Sequence, residues 1–448
     1  MRNPLFATVT IAALFPALAW GQAPSAGAPE TQPAARTPGN KPERIAWFQT
    51  LGLGMFIHWS LDSQLGVVIS HSMAAASPDY LERFITELPR SFNPRRFEPD
   101  RWAELARLAG MKYVVFTAKH HSGFCMFDTK TTDFSVMHTP YGQDITRQVL
   151  EAFRRQGLAI GLYFSPDDFW LLYRQGHEIT RRRPEAYPVN NPQLMAHDKA
   201  QLRELLTNYG PIDLLFIDGP AEELRELCWE LQPDIVVTRG AMETPEQELP
   251  GEPLRGPWEA CWTMGEAWQY QPTNERYKSG TSLINTFIET RARGGNLLLN
   301  VGPHPDGFIP PEQEGRLREL AMWNFINRDA VFGIRPWHVT NEGPIWFTRA
   351  ADADTVYAIV TGQPWPHGQW QTVTLKSVRA TPASEIEILG QSGKVMEYKP
   401  DVVPKATWTQ DDAGLHIKAM RAQRIYDDYK WPNPIVIRIT HARGVNDE

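Results

Sequence analysis

The chain has 448 residues, with 45 Lys and Arg against 52 Asp and Glu, for a formal charge of -7. That length accommodates one large domain and a smaller one with ample core, and the acidic balance gives no ground for a nucleic-acid partner. Sixteen Trp could furnish the apolar platforms on which sugar rings pack, although large cores use such rings too.

The N-terminus has the form of an export signal over residues 1–21. Arg2 supplies the positive charge, Leu5 to Leu18 is an apolar run too short to span a bilayer, and Ala19 and Gly21 place cleavage before Gln22. The expected location is therefore periplasmic or extracellular, with no membrane span once the signal is removed. Residues 22–42 are rich in Ala and Pro without periodicity, as in a linker. Three cysteines, Cys125, Cys228 and Cys261, are an odd number for an exported chain, so at least one stays free and no disulfide framework is expected.

From residue 43 to 338 buried strands alternate with helical patterns. The strands are Leu53 to Ile57, Lys112 to Thr117, Leu158 to Leu162, Asp213 to Ile217, Ile235 to Thr238 and Leu297 to Leu299. The helices are Asp100 to Ala109, Asp144 to Gln156, His197 to Tyr209, Ala221 to Leu231 and Pro311 to Asn327. The strands hand over to His58, His120 and His121, Tyr163, Asp218, Arg239 and Asn300, while the apolar runs carry almost nothing polar. An α/β fold with a (β/α)8-like barrel predicts this pattern, because every strand delivers a side chain to one rim. A doubly wound sheet predicts one crevice and a Gly-rich phosphate loop, and no such loop is present. Not all eight strands can be placed, and Glu243 to Ser282 is the obscure region. Residues 339–448 change character. Short alternating runs at Val356 to Val360, Gln371 to Leu375, Glu385 to Leu389, Gly414 to Lys418 and Pro434 to Ile439 predict a small C-terminal antiparallel β-sandwich.

Asp218 ends the run Leu214 to Ile217 on a Gly-Pro turn, where it either carries chemistry or caps the helix that follows. Glycoside hydrolysis needs a second carboxyl group. The loop after Arg239 offers Glu243 and Glu246, and Glu259 follows, each also readable as an ordinary loop or rim charge. Three histidines at strand ends, with Tyr163 and Arg239, form a directional set for sugar hydroxyls. They also admit a metal centre, against which stands the absence of HxH or HExxH spacing. Adjacent His120 and His121 would moreover point apart if their segment were extended.

Gly54-Met-Phe-Ile-His58-Trp59, the block from Gly110 to Asp133 with its Lys-His-His-Ser-Gly-Phe core, Gly161 to Pro166, Asp213 to Gly219 and Gly294 to Pro303 resemble, in order, the motifs of the α-L-fucosidases, glycoside hydrolase family 29. The resemblance runs from about Trp47 to Trp337. It implies a barrel with a C-terminal β-sandwich, and an exo-acting, retaining hydrolase that takes terminal α-L-fucose from an oligosaccharide or glycoconjugate without a cofactor. By the same resemblance Asp218 is the nucleophile, and Glu246 the acid/base, with Glu259 the fallback. His58, His120, His121, Tyr163 and Arg239 become fucose contacts and Trp268 the aromatic on the sugar's apolar edge; apart from the resemblance, Glu259 reads as a rim residue that bonds sugar or backbone. Departures are Ser70-His71-Ser72-Met73 where an aromatic is expected, and Ile217 where Trp or Phe often precedes the aspartate. The rival readings are a metal-dependent barrel hydrolase and a fucose-binding relative without turnover.

Overall fold

The structure, a computed structural model, describes residues 39–362, 364–424 and 433–445. The signal expected at 1–21 and residues 22–38 of the expected linker lie outside them. Seven strands form one parallel sheet: β1 Leu53–Ile57, β2 Tyr113–Lys119, β3 Ala159–Phe164, β4 Leu214–Ile217, β5 Val236–Val237, β6 Glu259–Thr263 and β7 Asn296–Val301, in the order β5-β4-β3-β2-β1-β7-β6. The gap between β5 and β6 is spanned by the segment after Arg239. Glu259 N donates to Glu243 O at 3.1 Å, Cys261 N to Pro245 O at 3.0 Å and Gln247 N to Cys261 O at 3.0 Å, while an isolated parallel bridge joins Arg239 to Met242. This irregular segment takes the place of an eighth strand. Its Pro245 and scattered glutamates lack the apolar run that marks the other strands.

Side chains alternate across each strand with a period of two. Phe56, Tyr113, Val115, Tyr163, Leu214, Phe216, Val236, Cys261 and Leu298 meet inside the barrel. Their neighbours, among them Met55, Ile57, Val114, Phe116, Leu215, Ile217, Leu297 and Leu299, pack outward into the larger core. Burial on both faces is why the strands are continuous apolar runs. The same period places His58 above Phe56, Asp218 above Phe216 and Asn300 above Leu298. Low in the barrel, a Cβ at Gly54 would meet the Tyr113 ring at 2.3 Å, so glycine there makes room for the phenol.

The predicted helices are present as Pro99–Leu108, Ile145–Arg155, Pro192–Asn208, Glu222–Leu231 and Pro311–Asn327. Others lie at Pro42–Leu51, Pro78–Thr86, Phe169–Gln175 and Gly280–Ala292. Asn40, within the expected linker, docks on β5: its Nδ2 donates to Val237 O at 2.7 Å and its Oδ1 accepts from Val237 N at 2.8 Å. That two-way bond satisfies both backbone groups of Val237 at the edge of β5.

Beyond the barrel follow β8 Ile334–Glu342, β9 Ile345–Ala350, β10 Val356–Val360, β11 Trp370–Leu375, β12 Val378–Arg379, β13 Ile386–Ile388, β14 Thr407–Asp411, β15 Gly414–Met420, β16 Ile435–Ile439 and β17 Arg443–Gly444. The antiparallel sheets β13-β16-β10-β9-β8 and β11-β15-β14 share one core. Phe347, Ala358 and Ile437 from the first meet Leu375, Leu415 and Ile417 from the second, which makes the pair a sandwich. The first of its strands begins at Ile334. No helix among the described residues is long and apolar enough to cross a membrane. Cys125, Cys228 and Cys261 are buried free thiols.

Candidate active site

Asp218 caps no helix. The helix after it starts at Glu222, with Ala221 at its N-cap position, and the carboxylate instead meets the barrel rim. Tyr163 Oη donates to its Oδ2 at 2.8 Å and Arg239 Nη1 to its Oδ1 at 3.1 Å. Burial pushes this carboxyl upward, but Arg239, the Tyr163 phenol and Arg181 outweigh that and hold it below the ordinary aspartate value. Burial beside Asp218 raises the Tyr163 phenol well above its usual range, so it stays a donor. Arg225, from the helix Glu222–Leu231, fixes the turns: its Nη2 donates to Gly219 O at 2.6 Å and its Nε to Arg239 O at 3.2 Å. Gly240 has φ +84°, and a Cβ there would lie 2.1 Å from that guanidinium. One side chain thus sets the Asp218 turn and Arg239 against each other.

Arg239 also reaches Glu246, its Nη2 donating to Oε2 at 3.1 Å. The two arms of one guanidinium therefore hold two carboxylates. Asp218 is mostly buried, with 19% of its side chain exposed, whereas Glu246 is 45% exposed. One carboxylate is enclosed and ionised; the other stands at the mouth.

Glu259 is elsewhere. It begins β6, low in the barrel, has no exposed surface, and accepts from Tyr113 Oη at 2.5 Å. Burial pushes its carboxyl up to about 7, against the lowering effects of Tyr113 and Arg239. A side chain this deep reaches neither a leaving group nor a sugar hydroxyl, so Glu259 is neither the fallback acid/base nor a rim contact. From the sequence, proximity to the strand end could not be told from the strand's beginning.

The histidines converge. The chain turns after β2, with Gly123 N donating to His120 O at 3.0 Å, so the segment is not extended and both rings face the site. Their centroids lie 4.4 Å apart; His120 stacks on Tyr163 at 4.9 Å and lies 5.5 Å from His58. The tautomer of each follows from its outer partner. Asn300 Nδ2 donates to Trp268 O at 2.6 Å, so Asn300 Oδ1 accepts from His58 Nδ1 at 2.7 Å, leaving Nε2 an acceptor. His121 N donates to His120 Nδ1 at 2.9 Å, which puts the His120 proton on Nε2. Ser165 Oγ gives its proton to Asp167 O at 2.9 Å and so accepts from His121 Nδ1 at 2.5 Å, leaving His121 Nε2 an acceptor. Burial drives His58 down to about 4 and the other two well below the ordinary histidine value. Three neutral imidazoles thus offer acceptor, donor and acceptor.

Trp268, half-buried, lies 4.8 Å from the His58 ring and 5.9 Å from Phe56, an apolar wall beside polar groups. His58, His120, His121, Tyr163, Asp218, Arg239, Glu246 and Trp268 are brought together; Glu259 is not. Among the described residues no three His, Cys, Asp or Glu side chains are grouped so as to hold a metal ion. Ser70 to Met73 form a turn whose Met73 is buried in the core and whose His71 is exposed. Asn300, Ser165, Asp167 and Arg181 belong to the site as well. Only Asn300 carried a signal, as the polar end of a strand.

The model of the family described as "Alpha-L-fucosidase" matches residues 23–329. The chain belongs to the α-L-fucosidase family. As a member it is a glycoside hydrolase. It is 28% identical over 410 residues to the tissue alpha-L-fucosidase of Mus musculus, covering 82% of this chain and 85% of that protein. It is 29% identical over 300 residues to the alpha-L-fucosidase of Dictyostelium discoideum, covering 61% and 64%. Among solved structures, alpha-L-fucosidase isoenzyme 1 from Paenibacillus thiaminolyticus superposes with a TM-score of 0.72 at 26% identity, covering 89% of this chain and 98% of that one. An alpha-L-fucosidase from Bacteroides thetaiotaomicron, at 21% identity, shares the fold with the same score over 94% and 100%.

Proposed function

We propose that this α-L-fucosidase family member releases terminal α-L-fucose from fucosylated oligosaccharides or glycoconjugates, as an exo-acting enzyme that retains anomeric configuration. The observation that carries this is Arg239 holding Asp218 and Glu246 on its two arms, beside three neutral imidazoles and the Trp268 ring. Retaining chemistry needs two carboxyl groups about 5–5.5 Å apart, one ionised and one able to give a proton. Asp218 attacks the anomeric carbon as the glycosidic C–O bond breaks, and Glu246 gives its proton to the departing oxygen. Glu246, now ionised, takes a proton from water; the water oxygen attacks the anomeric carbon and the bond to Asp218 breaks. The imidazoles and Trp268 bind and orient the sugar throughout.

Glu246→Ala decides the acid/base role. Turnover of fucosides with poor leaving groups should collapse while activated aryl fucosides suffer less, and azide should restore rate by attacking the fucosyl-enzyme. An Asp218→Asn variant with wild-type rates would sink the scheme. NMR of the first-released sugar should show the α anomer. We propose too that the protein is exported, on the strength of Arg2 and the apolar run from Leu5 to Leu18. N-terminal sequencing of the mature protein should begin at Gln22.

A further inference from the structure

Arg181 lies between the helices Phe169–Gln175 and Pro192–Asn208, and its side chain reaches into the site. Nη1 donates to His121 Nε2 at 3.3 Å and Nη2 to the backbone carbonyl of Asp218 at 3.3 Å. Nε pairs with the buried Asp167 carboxylate, which also lies 3.6 Å from His121 Nδ1. The main chain is tied down as well, because Tyr187 Oη donates to Arg181 O at 2.7 Å. The side chain is still 37% exposed. It is held at its backbone and bonded at all three guanidinium nitrogens, yet solvent still reaches part of it.

The lone pair at His121 Nε2 has two neighbours. Asp218 Oδ2, at 3.6 Å, has no proton to give. The Arg181 guanidinium does, and holds the lone pair. A hydroxyl inserted between them accepts from Nη1 and donates to Nε2, so one hydrogen bond becomes two in series, each polarising the other. The position of this corner identifies the hydroxyl. Asp218 attacks the anomeric carbon and His121 Nε2 stands beside its attacking carboxylate, so the hydroxyl is the one on the adjacent carbon.

We propose that Arg181 is a substrate-contact residue that, together with His121, grips the 2-hydroxyl of the sugar undergoing transfer. The proposal rests on Asp218 being the nucleophile. Its energetic consequence falls on the transition state. As positive charge builds at the anomeric centre the 2-hydroxyl becomes a better donor, and its bond to His121 strengthens while Arg181 keeps it aimed.

The test compares an aryl α-L-fucoside with its 2-deoxy analogue in wild type and Arg181→Met. Whatever Arg181 does for Asp218 lowers kcat/KM on both substrates alike, so losing one charged hydrogen bond to the 2-hydroxyl should show as a further loss of roughly 10- to 100-fold on the fucoside beyond that on the analogue. Equal losses on both substrates overturn the proposal, since a residue that merely anchors its loop affects both alike. The single variant strands the Asp167 carboxylate, so R181M/D167N is measured beside it. If R181M fails to fold, the same comparison in the double variant decides. Failure of the underlying reading shows separately: an active Asp218→Asn variant removes the nucleophile assignment whatever the 2-deoxy comparison gives.

Discussion

His58 Nδ1 and Asn300 Oδ1 meet at 2.7 Å across the adjacent ends of β1 and β7. Burial holds this imidazole at about 4, and the amide raises it only in part. Its Nε2 is therefore a lone pair at neutral pH. Asn300→Asp would replace the amide with a carboxylate that stabilises the imidazolium, raising the His58 pKa. Below that new pKa, Nε2 carries a proton and meets a sugar hydroxyl as donor instead of acceptor. The expected result is a kcat/KM lowered roughly 10- to 100-fold at pH 5–6 that recovers as pH rises. A pH profile parallel to wild type would show that a bare Nε2 at His58 is not what the reaction needs.

Arg239 is the largest influence lowering the Asp218 carboxyl and the partner of Glu246. Arg239→Met removes both effects. Asp218 then keeps only the weaker effects of the Tyr163 phenol and Arg181 against burial, and its pKa rises. An aspartate must be ionised to attack, so the acid limb of kcat/KM should move to higher pH, with the plateau down by about 10²- to 10⁴-fold. Arg239→Lys should restore part of the acid limb without the plateau, because an ammonium gives charge but cannot hold two carboxylates on two planar arms. An unmoved acid limb in Arg239→Met would mean that some other group sets it.

The sequence made the barrel legible because strands covered on both faces are written as unbroken apolar runs, and the polar residues ending them are conspicuous by contrast. That contrast located His58, Tyr163, Asp218 and Arg239. It could not locate Glu259, which begins its strand and faces inward, because Glu259-Ala-Cys-Trp-Thr263 has no clear direction until its register against β7 is known. Nor could it mark the segment from Glu243 to Gln247 as part of the barrel, since single bridges need no apolar run. Arg181 was hidden for another reason. It is one of three consecutive arginines in a loop, and only the fold brings that loop to His121.

Lys119, just before the two histidines, is wholly buried between Asp168 at 3.3 Å and Asp198 at 2.8 Å. These carboxylates belong to the β3 loop and to the helix Pro192–Asn208, so one ammonium joins three segments behind the site. Lys119 draws Asp168 down to about 2 against its burial, whereas burial drives Asp198 up to about 8. At neutral pH the cluster is thus near neutrality. Lys119→Met leaves an unpaired buried aspartate and should cost about 3–5 kcal/mol by urea unfolding. K119M/D168N/D198N, without formal charge, should recover much of that. If the triple variant is no more stable than K119M, charge compensation is not what the lysine provides.

Glu259 and Tyr113 tie the lower barrel together, and burial sets the sign of their pH dependence. An unfolded glutamate titrates near 4.5, while the folded one is raised to about 7. Between those values the native state holds a proton that the unfolded chain has lost. Stability attributable to this group is therefore complete below about pH 4.5, falls as pH rises, and levels off above about 7. The total change is on the order of 3 kcal/mol. Glu259→Gln keeps the shape and an acceptor for Tyr113 but cannot ionise. Its stability should match wild type near pH 4.5 and exceed it at pH 8, with denaturant midpoints across that range as the measurement. Activity on an aryl fucoside should stay within about 3-fold of wild type, because the side chain reaches no substrate. A large loss of kcat in Glu259→Gln, with stability intact, would return this carboxyl to the chemistry.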